Sequence, residues 1–427
     1  MALFFALSLG LAWLLVYLRI RALGERHVLW LPVYRFWVRL FALAYLLSFA
    51  SSMPVFIQLG SLWPLLLTKI QAISSPILAA ILLGALVFKT SLMGLMLFAQ
   101  RQLADWLHAL VVLAVAVGQT LIVFGLIVLV AWMHTPTGVQ WHEGQYVVTN
   151  WLQVIINPST GWYATLYYSA TAVLSAVAVM AVLAWQALRR PLNEAERRVF
   201  KCVLYVGSAA WLGLLIGSVG NGLMVAEHQP LKAAAAMAYW DNTAPPTWAL
   251  FAWPSASELT NYYMVGVRKA GALWLGLQDD GQLFALKSQA AMTPPVAVVF
   301  WSIRIAFLAG IAVLALLIKA WFLAWYKHYD PSALSVVGRR IMVASGLLGP
   351  ILLVAGLSYQ LFGALPFVVN QRITFNEVFA HRTLAQSLGG WLAVNLMYVL
   401  LSLGFIYLVA YTVRYGVVSV ARHRGRA

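Results

Sequence analysis

The chain has 427 residues, 63% of them hydrophobic and 9% charged, and its mean hydropathy is +0.84. These values exclude an ordinary soluble protein and favour a single bundle of membrane-spanning helices. The formal net charge is +16, but the basic residues fall mainly in short loops on one side, so we predict contact with anionic lipid and no nucleic-acid partner. The single cysteine, Cys202, excludes an intrachain disulfide and an iron–sulfur site held only by cysteines.

The apolar segments predict an all-α integral membrane protein with nine transmembrane helices. Each segment except the first, which is marginal, can cross about 30 Å of hydrocarbon at about 1.5 Å per residue. The first segment has no charged residue before it and no clear cleavage site, so we expect a retained helix. The predicted helices cover residues 3–18, 37–60, 76–99, 106–133, 162–188, 200–226, 296–325, 341–363 and 388–414.

One long loop, 227–295, separates helices six and seven. Its proline pairs, Pro245–Pro246 and Pro294–Pro295, and its Gly276–Gly281 run predict irregular structure with short interfacial helices. The chain therefore divides into helices one to six (1–226), the long loop (227–295), and helices seven to nine with a basic tail (296–427).

The basic residues are distributed unequally between the two sides of the predicted bundle. Because basic loops stay in the cytoplasm, the distribution predicts an external N-terminus, an external long loop and a cytoplasmic C-terminus. Nineteen lie on the predicted cytoplasmic side: Arg19, Arg21, Arg26, Arg35, Arg39, Arg101, Arg189, Arg190, Arg197, Arg198, Lys201, Lys319, Lys327, Arg339, Arg340, Arg414, Arg422, Arg424 and Arg426. Seven lie on the other: Lys69, Lys232, Arg268, Lys269, Lys287, Arg372 and Arg382.

Short strings along the chain resemble subunit I of the cytochrome bd quinol oxidases. The resemblance is almost gapless from Phe36 to Pro158 and faintest in helices one, eight and nine. Each string alone is weak, but their common order and the place of the long loop make the set specific. The strings are Phe36-Trp37-Val-Arg-Leu-Phe41, Gln58-Leu-Gly60 with Trp63, Gly94-Leu95 with Phe98, Trp132-Met133 with Pro136, Asn157-Pro158, Gln229-Pro-Leu-Lys232, Thr260-Asn261, Arg304-Ile305 and Gly363-x-x-Pro366-Phe367.

The resemblance implies a nine-helix subunit with two b-type haems and one d-type haem, a second large subunit, and oxidation of quinol coupled to reduction of oxygen to water. The family's haem ligands, however, have no counterparts here. The helix-five histidine falls at Leu166 and the helix-seven methionine at Ala306, and the chain begins about where the first-helix histidine would already have passed. Family carboxylates fall at Phe56 and among Ala80, Ile81, Phe88 and Lys89. Aliphatic side chains cannot ligate iron.

No predicted helix carries a histidine or carboxylate at mid-depth, where a haem ligand or proton relay would be expected. Methionines remain alternative ligands, although methionine in a packed helix is usually filler. His108 matches a family position at the cytoplasmic end of helix four, where a hydrogen-bonding role is the commoner alternative to ligation.

Two cations in the predicted helices, Lys89 and Arg304, are assigned to neither side of the bundle. Lys89 lies mid-span, where a charge costs about 2.5–3.5 kcal/mol on insertion scales, so we expect it to face the bundle or a partner's carboxylate; the alternative is snorkelling or a neutral amine. Arg304 matches a family arginine beside a haem; the alternative is pairing with the long loop or a helix end.

Gln229, Lys232 and Trp240 are candidates for a quinol pocket at the start of the long loop. Two family residues of this region are absent, since its acid falls at Met237 and its second lysine at Tyr262. Quinol oxidation needs a proton acceptor near the hydroxyl. The substitutions therefore weaken the prediction of quinol oxidation.

These observations predict a haem-poor, subunit I-like membrane subunit of a bd-type quinol oxidase complex, with a structural role and no catalysis by itself. Haem b and haem d are then expected in a partner chain, resembling subunit I or subunit II, and small single-helix subunits are further candidate partners. Two alternatives stay open: an active subunit I with substituted ligands, and a structural subunit of another membrane complex. The resemblance places the protein in a bacterial or archaeal cytoplasmic (inner) membrane.

Overall fold

The computed structural model describes residues 1–24, 27–242, 245–277, 283–380 and 384–416. The predicted basic tail and most of the Gly276–Gly281 run lie outside the described residues. In chain order the elements are α1 (Ala2–Arg21), α2 (His27–Leu62), α3 (Pro64–Lys69), α4 (Gln71–Gly84), a π-helix (Ala85–Ser91), α5 (Leu92–Phe98), α6 (Asp105–His134), β1 (Val139–His142), β2 (Gln145–Val148), α7 (Trp151–Ile155), α8 (Thr160–Ala187), α9 (Glu194–His228), α10 (Pro230–Met237), β3 (Trp248–Ser255), β4 (Thr260–Val267), α11 (Ala270–Trp274), a 3₁₀ helix (Leu286–Met292), α12 (Val296–Lys327), a 3₁₀ turn (Pro331–Ala333), α13 (Val336–Ala344), a 3₁₀ turn (Ser345–Leu347), α14 (Leu348–Phe362), β5 (Phe367–Val369), β6 (Ile373–Thr374), α15 (Phe375–Val378) and α16 (Leu384–Tyr415).

Nine helical segments of the described chain are long and apolar enough to cross a membrane, which confirms the predicted number of spans. The spans are Ala2–Arg21, His27–Leu62, Gln71–Phe98, Asp105–His134, Trp151–Ala187, Glu194–His228, Val296–Lys327, Val336–Phe362 and Leu388–Arg414.

The second and third spans begin earlier than predicted. α2 begins at His27 and not near residue 37, because its first turns pack on α1: Trp30 and Tyr34 are buried, and the rings of Tyr17 and Trp30 lie 6.0 Å apart. The third span begins at Gln71 and contains the π-helix between α4 and α5. Packing of side chains outside the hydrocarbon therefore extends α2 toward its N-terminus, beyond the start that hydropathy alone predicts.

α8 lies at the centre of the bundle, in contact with α1, α6, α9, α13 and α14. Its contact with α9 is close because glycines of α9 face larger side chains of α8. A Cβ at Gly217 would lie 3.1 Å from Leu166 Cδ2, and one at Gly220 would overlap the ring of Trp162. Small residues let membrane helices approach closely, since no side chain separates the backbones.

The segment between α9 and α12 contains the predicted short helices, but also a β-hairpin that we did not predict. β3 and β4 are antiparallel, with Trp248 opposite Val267 and Trp253 opposite Tyr262. The strand residues are apolar on both faces, so the alternation that identifies a strand is hidden. The hairpin packs along α12, where the rings of Phe251 and Trp301 lie 5.3 Å apart.

Candidate functional site

Lys232 is a buried lysine at the end of the bundle that carries residues 229–295, which we call the long-loop end. It lies on α10, whose first residue is Pro230, a position where the missing N–H costs no hydrogen bond. Its side chain is 2% exposed, and its ammonium donates to Gln360 Oε1 and, at 3.4 Å, to Tyr163 Oη. Both acceptors are neutral, so burial lowers the pKa of Lys232 to about 7.

Four elements hold this lysine. The ring centroids of Tyr359 and Tyr163 lie 4.9 Å and 5.7 Å from its ammonium nitrogen, and Gln360 donates to Asn221 Oδ1 at 3.2 Å. Ring faces attract cations, and the hydrogen bond fixes the Gln360 amide so that its oxygen faces Lys232. The arrangement is a neutral cage for an ammonium, drawn from α8, α9, α10 and α14.

A cavity of about 210 Å³ lies beside Lys232. Gln229 and Lys232 both line it, so the structure brings these two predicted residues together. Trp240 is not among the lining residues; it donates from Nε1 to Asn261 Oδ1 at 2.8 Å and ties the end of α10 to β4. The other lining residues are Met133, His134, Pro230, Leu231, Phe284, Gln289, Gly363, Ala364, Leu365, Phe367, Val368, Asn370 and Gln371.

Sequence reasoning missed His134, the last residue of α6. It is buried, lines the cavity, and its ring lies 5.3 Å from that of Tyr163. It also missed Gln360 and Asn221. Both could have been noticed in the sequence, because uncharged amides are uncommon inside spans and usually bond to another buried group. The cavity can therefore hold an apolar ring or chain with a polar group near Lys232, Gln229 and His134.

Arg304 is a buried cation that organises the long-loop end. It is 1% exposed and donates to Phe300 O at 3.2 Å, to Ala249 O of β3 at 2.9 Å and to Ala236 O of α10. Its guanidinium carbon also lies 3.6 Å from the ring centroid of Phe300. Ala236 O lies at the C-terminus of α10, where carbonyls carry partial negative charge, so this end of the helix stabilises the guanidinium without an acid. The structure therefore shows the contact with the long loop that the sequence left as an alternative.

Lys89 lies on the π-helix, and its ammonium points toward α1 and α2. The nitrogen lies 3.8 Å from the ring centroid of Phe5 and 5.5 Å from that of Tyr45, and the Tyr45 hydroxyl donates to Lys89 O. A π-helical turn widens the backbone and is frequent at functional sites. These contacts place the charge on aromatic faces within the bundle.

Leu166 and Ala306 offer no donor for haem iron. Leu166 packs on Gly217 of α9, and Ala306 is a partly buried residue against the main apolar core. Iron requires an imidazole, thiolate, thioether or phenolate donor, so the residues at these two positions do not fit a ligated haem.

His108 lies in the first turn of α6 and is fully buried. Its Nε2 lies 3.0 Å from Met96 O, and its ring lies 6.0 Å from that of Tyr34. It therefore joins α6 to α5 by a hydrogen bond, the commoner role expected from sequence. Within the described ranges, no group of three or more His, Cys, Asp or Glu side chains could hold a metal ion.

Comparison with known proteins identifies the family. Residues 1–417 match the family described as cytochrome bd terminal oxidase subunit I. The chain belongs to this family. The fold is similar to that of a chain in the bd oxidase structure from Geobacillus thermodenitrificans, with a TM-score of 0.82, 17% identity and 97% coverage of both chains. That likeness shows a shared fold.

Two relatives of known sequence support membership of the subunit I family. Cytochrome bd-II ubiquinol oxidase subunit 1 of Escherichia coli K12 is 26% identical over 296 residues, which are 69% of this chain and 58% of that subunit. Cytochrome bd ubiquinol oxidase subunit 1 of Bacillus subtilis 168 is 24% identical over 359 residues, which are 80% of this chain and 75% of that subunit. The match thus spans little more than half of the E. coli subunit. Family membership and the nine spans support a multi-pass protein of the bacterial inner membrane.

Proposed function

We propose that this chain is a haem-free scaffold subunit of a bd-type quinol oxidase complex, and that a partner chain carries the haem b and haem d. The observation that carries the proposal is the pair Leu166 and Ala306, which replaces two donors of the family with aliphatic carbon. The close contact of Leu166 with Gly217 supports it, because the space beside that position is filled by α9.

The aromatic contacts of Lys89 support the same proposal. A mid-span lysine stands where the family has carboxylates, and its ammonium lies on the ring faces of Phe5 and Tyr45. A positive charge in that space disfavours a second cation such as a haem iron. We propose that Lys89 stabilises the packing of α1, α2 and the π-helix that a cofactor would otherwise support.

A second candidate function, quinol binding, is favoured by the cavity beside Lys232. Gln229, Lys232 and His134 supply polar groups to one largely apolar cavity, which suits a ring that carries hydroxyl or carbonyl oxygens. The amine of Lys232 is the candidate proton acceptor, since its pKa is about 7. Without a haem to accept electrons in this chain, bound quinol would pass them only to a partner.

The orientation is part of the proposal. With the long-loop end outside, those of the nineteen basic residues that the structure describes would lie toward the opposite end of the bundle, as the positive-inside rule requires. Lys69 and Glu377, which form an ion pair at the long-loop end, would then face the exterior.

Pyridine haemochrome analysis of the chain expressed alone tests the proposal. We expect no haem in the isolated chain, and haem together with quinol oxidase activity only when the chain co-purifies with a subunit that has the full set of ligands. The B. subtilis cytochrome subunit, expressed and purified in the same way, is the positive control. Stoichiometric haem in the isolated chain would instead favour an active subunit with substituted ligands.

Identification of the co-purifying chains separates the remaining alternative. Purification in mild detergent from the native membrane should yield a subunit I-like or subunit II-like chain with haem b and haem d absorption. Recovery of a stable complex without haem would favour a structural role in another membrane assembly.

A further inference from the structure

The β3–β4 hairpin and α11 carry a large exposed apolar patch. Its members are Leu250, Trp253, Tyr263, Val265, Val267 and Leu273, and the most exposed, Tyr263 and Leu273, are 83% and 82% exposed. Contiguous exposed apolar patches are rare on the surfaces of soluble proteins and mark a contact surface.

Contacts with two spans place the lower end of this patch at the level of the membrane. The ring of Trp248 lies 5.7 Å from that of Phe307, which is eleven residues into α12, and Trp274 donates to Ser218 O at 3.1 Å, ten residues before the end of α9. At about 1.5 Å per residue, both contacts lie about 15 Å below the long-loop end of their helices.

The depth of these two contacts in the bilayer follows from the lengths of α9 and α12. α9 has 35 residues and α12 has 32, so they are about 50 Å long, whereas the hydrocarbon core is about 30 Å thick. If the excess length is shared equally between the two ends, about 10 Å of each helix lies outside the hydrocarbon core at each end. Trp248 and α11 therefore lie close to the boundary between headgroups and acyl chains.

The hairpin is polar at its outer end and apolar at its inner end. Phe251 contacts Trp301, nearer the start of α12 than Phe307, so β3 runs outward from Trp248 toward the turn that contains Ser257 and Glu258. The exposed lower residues continue the exposed apolar faces of the two spans, where Val219, Leu223 and Leu308 are also exposed.

Backbone hydrogen bonding fixes how deep the hairpin can lie. It is a two-stranded sheet in the described chain, so β4 has one edge without a strand partner. Unpaired backbone groups are not tolerated in hydrocarbon but are hydrated at the interface. Trp253 and Tyr263 are residue types that favour this interface, and Arg268, which follows β4, suits the level of lipid phosphates.

We propose that the lower half of the β3–β4 hairpin and α11 are seated in the lipid interface on the long-loop side, with Val265, Val267 and Leu273 in contact with acyl chains. The hairpin then anchors the long loop to the bilayer, independently of whether this chain binds haem or quinol. The occupant of the patch is lipid and not a protein partner, because the patch is continuous with exposed faces of the spans and lies at their boundary depth.

Fluorescence quenching in nanodiscs tests the proposal. The full chain, with any subunits that co-purify, carries Cys202→Ala and one new cysteine, Val265→Cys or Leu273→Cys, labelled with bimane. Ser257→Cys in the polar turn is the matched control. We expect lipids with a nitroxide near the top of the acyl chain to quench the labels at 265 and 273 severalfold more than the label at 257, and aqueous iodide to give the reverse order.

Two results would overturn the lipid contact. Equal iodide quenching at 257, 265 and 273 would show that the patch faces water. Protection of 265 and 273 from both quenchers would show that a protein partner covers the patch. Because both labelled side chains are exposed, the substitutions should not disturb folding, and a correct size-exclusion profile verifies this before labelling.

Discussion

Arg304→Met should release α10 and the β3–β4 hairpin from α12 while leaving the spans folded. The variant keeps most of the side-chain volume but removes the guanidinium that donates to Ala249 O and Ala236 O. A hydrogen bond from a charged donor contributes about 1.5–3 kcal/mol, and both carbonyls lose their described side-chain donor. We therefore expect a loss of about 3 kcal/mol in the local stability of α10 and the hairpin.

Limited trypsin digestion measures this loss, because Arg268 and Lys269 follow β4 directly. When cleavage follows transient opening, its rate tracks the open population, and about 3 kcal/mol corresponds to a roughly hundredfold faster cut near residue 268. Arg304→Lys, which keeps the charge but not the planar fork of donors, should fall between wild type and Arg304→Met.

Lys319→Met is the matched control, since Lys319 is an exposed cation on the same helix. It should leave the cleavage rate unchanged. Equal rates in wild type and Arg304→Met would refute the inference that this arginine holds α10 and the hairpin against α12. A loss of folded protein in detergent would instead show that Arg304 stabilises the whole bundle.

Three further outcomes follow from the packing. Gly220→Ala should lower the thermal midpoint in detergent and reduce the free energy of unfolding by about 1–3 kcal/mol, because the new Cβ overlaps the Trp162 ring. Gly161→Ala, whose Cβ would enter open space, should leave the midpoint unchanged, and similar midpoints for the two variants would contradict the close contact. The pKa of Lys232 is lowered in the folded state, so the unfolded chain binds this proton first as pH falls. The free energy of unfolding of the wild type should therefore rise with pH between about 7 and 10.5, by at most roughly 5 kcal/mol. Lys232→Met should flatten that slope in thermal midpoints measured across pH, and parallel curves would count against the buried ammonium. Lys89→Glu should reduce the yield of folded protein more than Lys89→Leu, because aromatic faces repel an anion. The opposite ranking would contradict the inference that the aromatic rings stabilise a positive charge at this position.

Much of the fold was predictable from local composition. Nine apolar runs correspond to nine spans in the described part of the chain, and ordered strings such as Gln229-Pro-Leu-Lys232 indicated the family that the match over residues 1–417 confirmed. The chemical character of Leu166 and Ala306 is likewise a property of the sequence, since an aliphatic side chain cannot ligate iron in any fold. Hydropathy acts residue by residue, which is why these features need no knowledge of contacts.

The candidate site depended on contacts between distant parts of the chain. Lys232 bonds to Gln360, 128 residues away, and Arg304 to Ala236, 68 residues away, so no local pattern indicated either pairing. The hairpin was hidden for a related reason. Its strands are largely apolar on both faces, so the pairing of β3 with β4 and their packing along α12 are seen only in the tertiary structure. A buried cation must find its acceptors wherever the packed helices place them, and that placement is decided by tertiary structure.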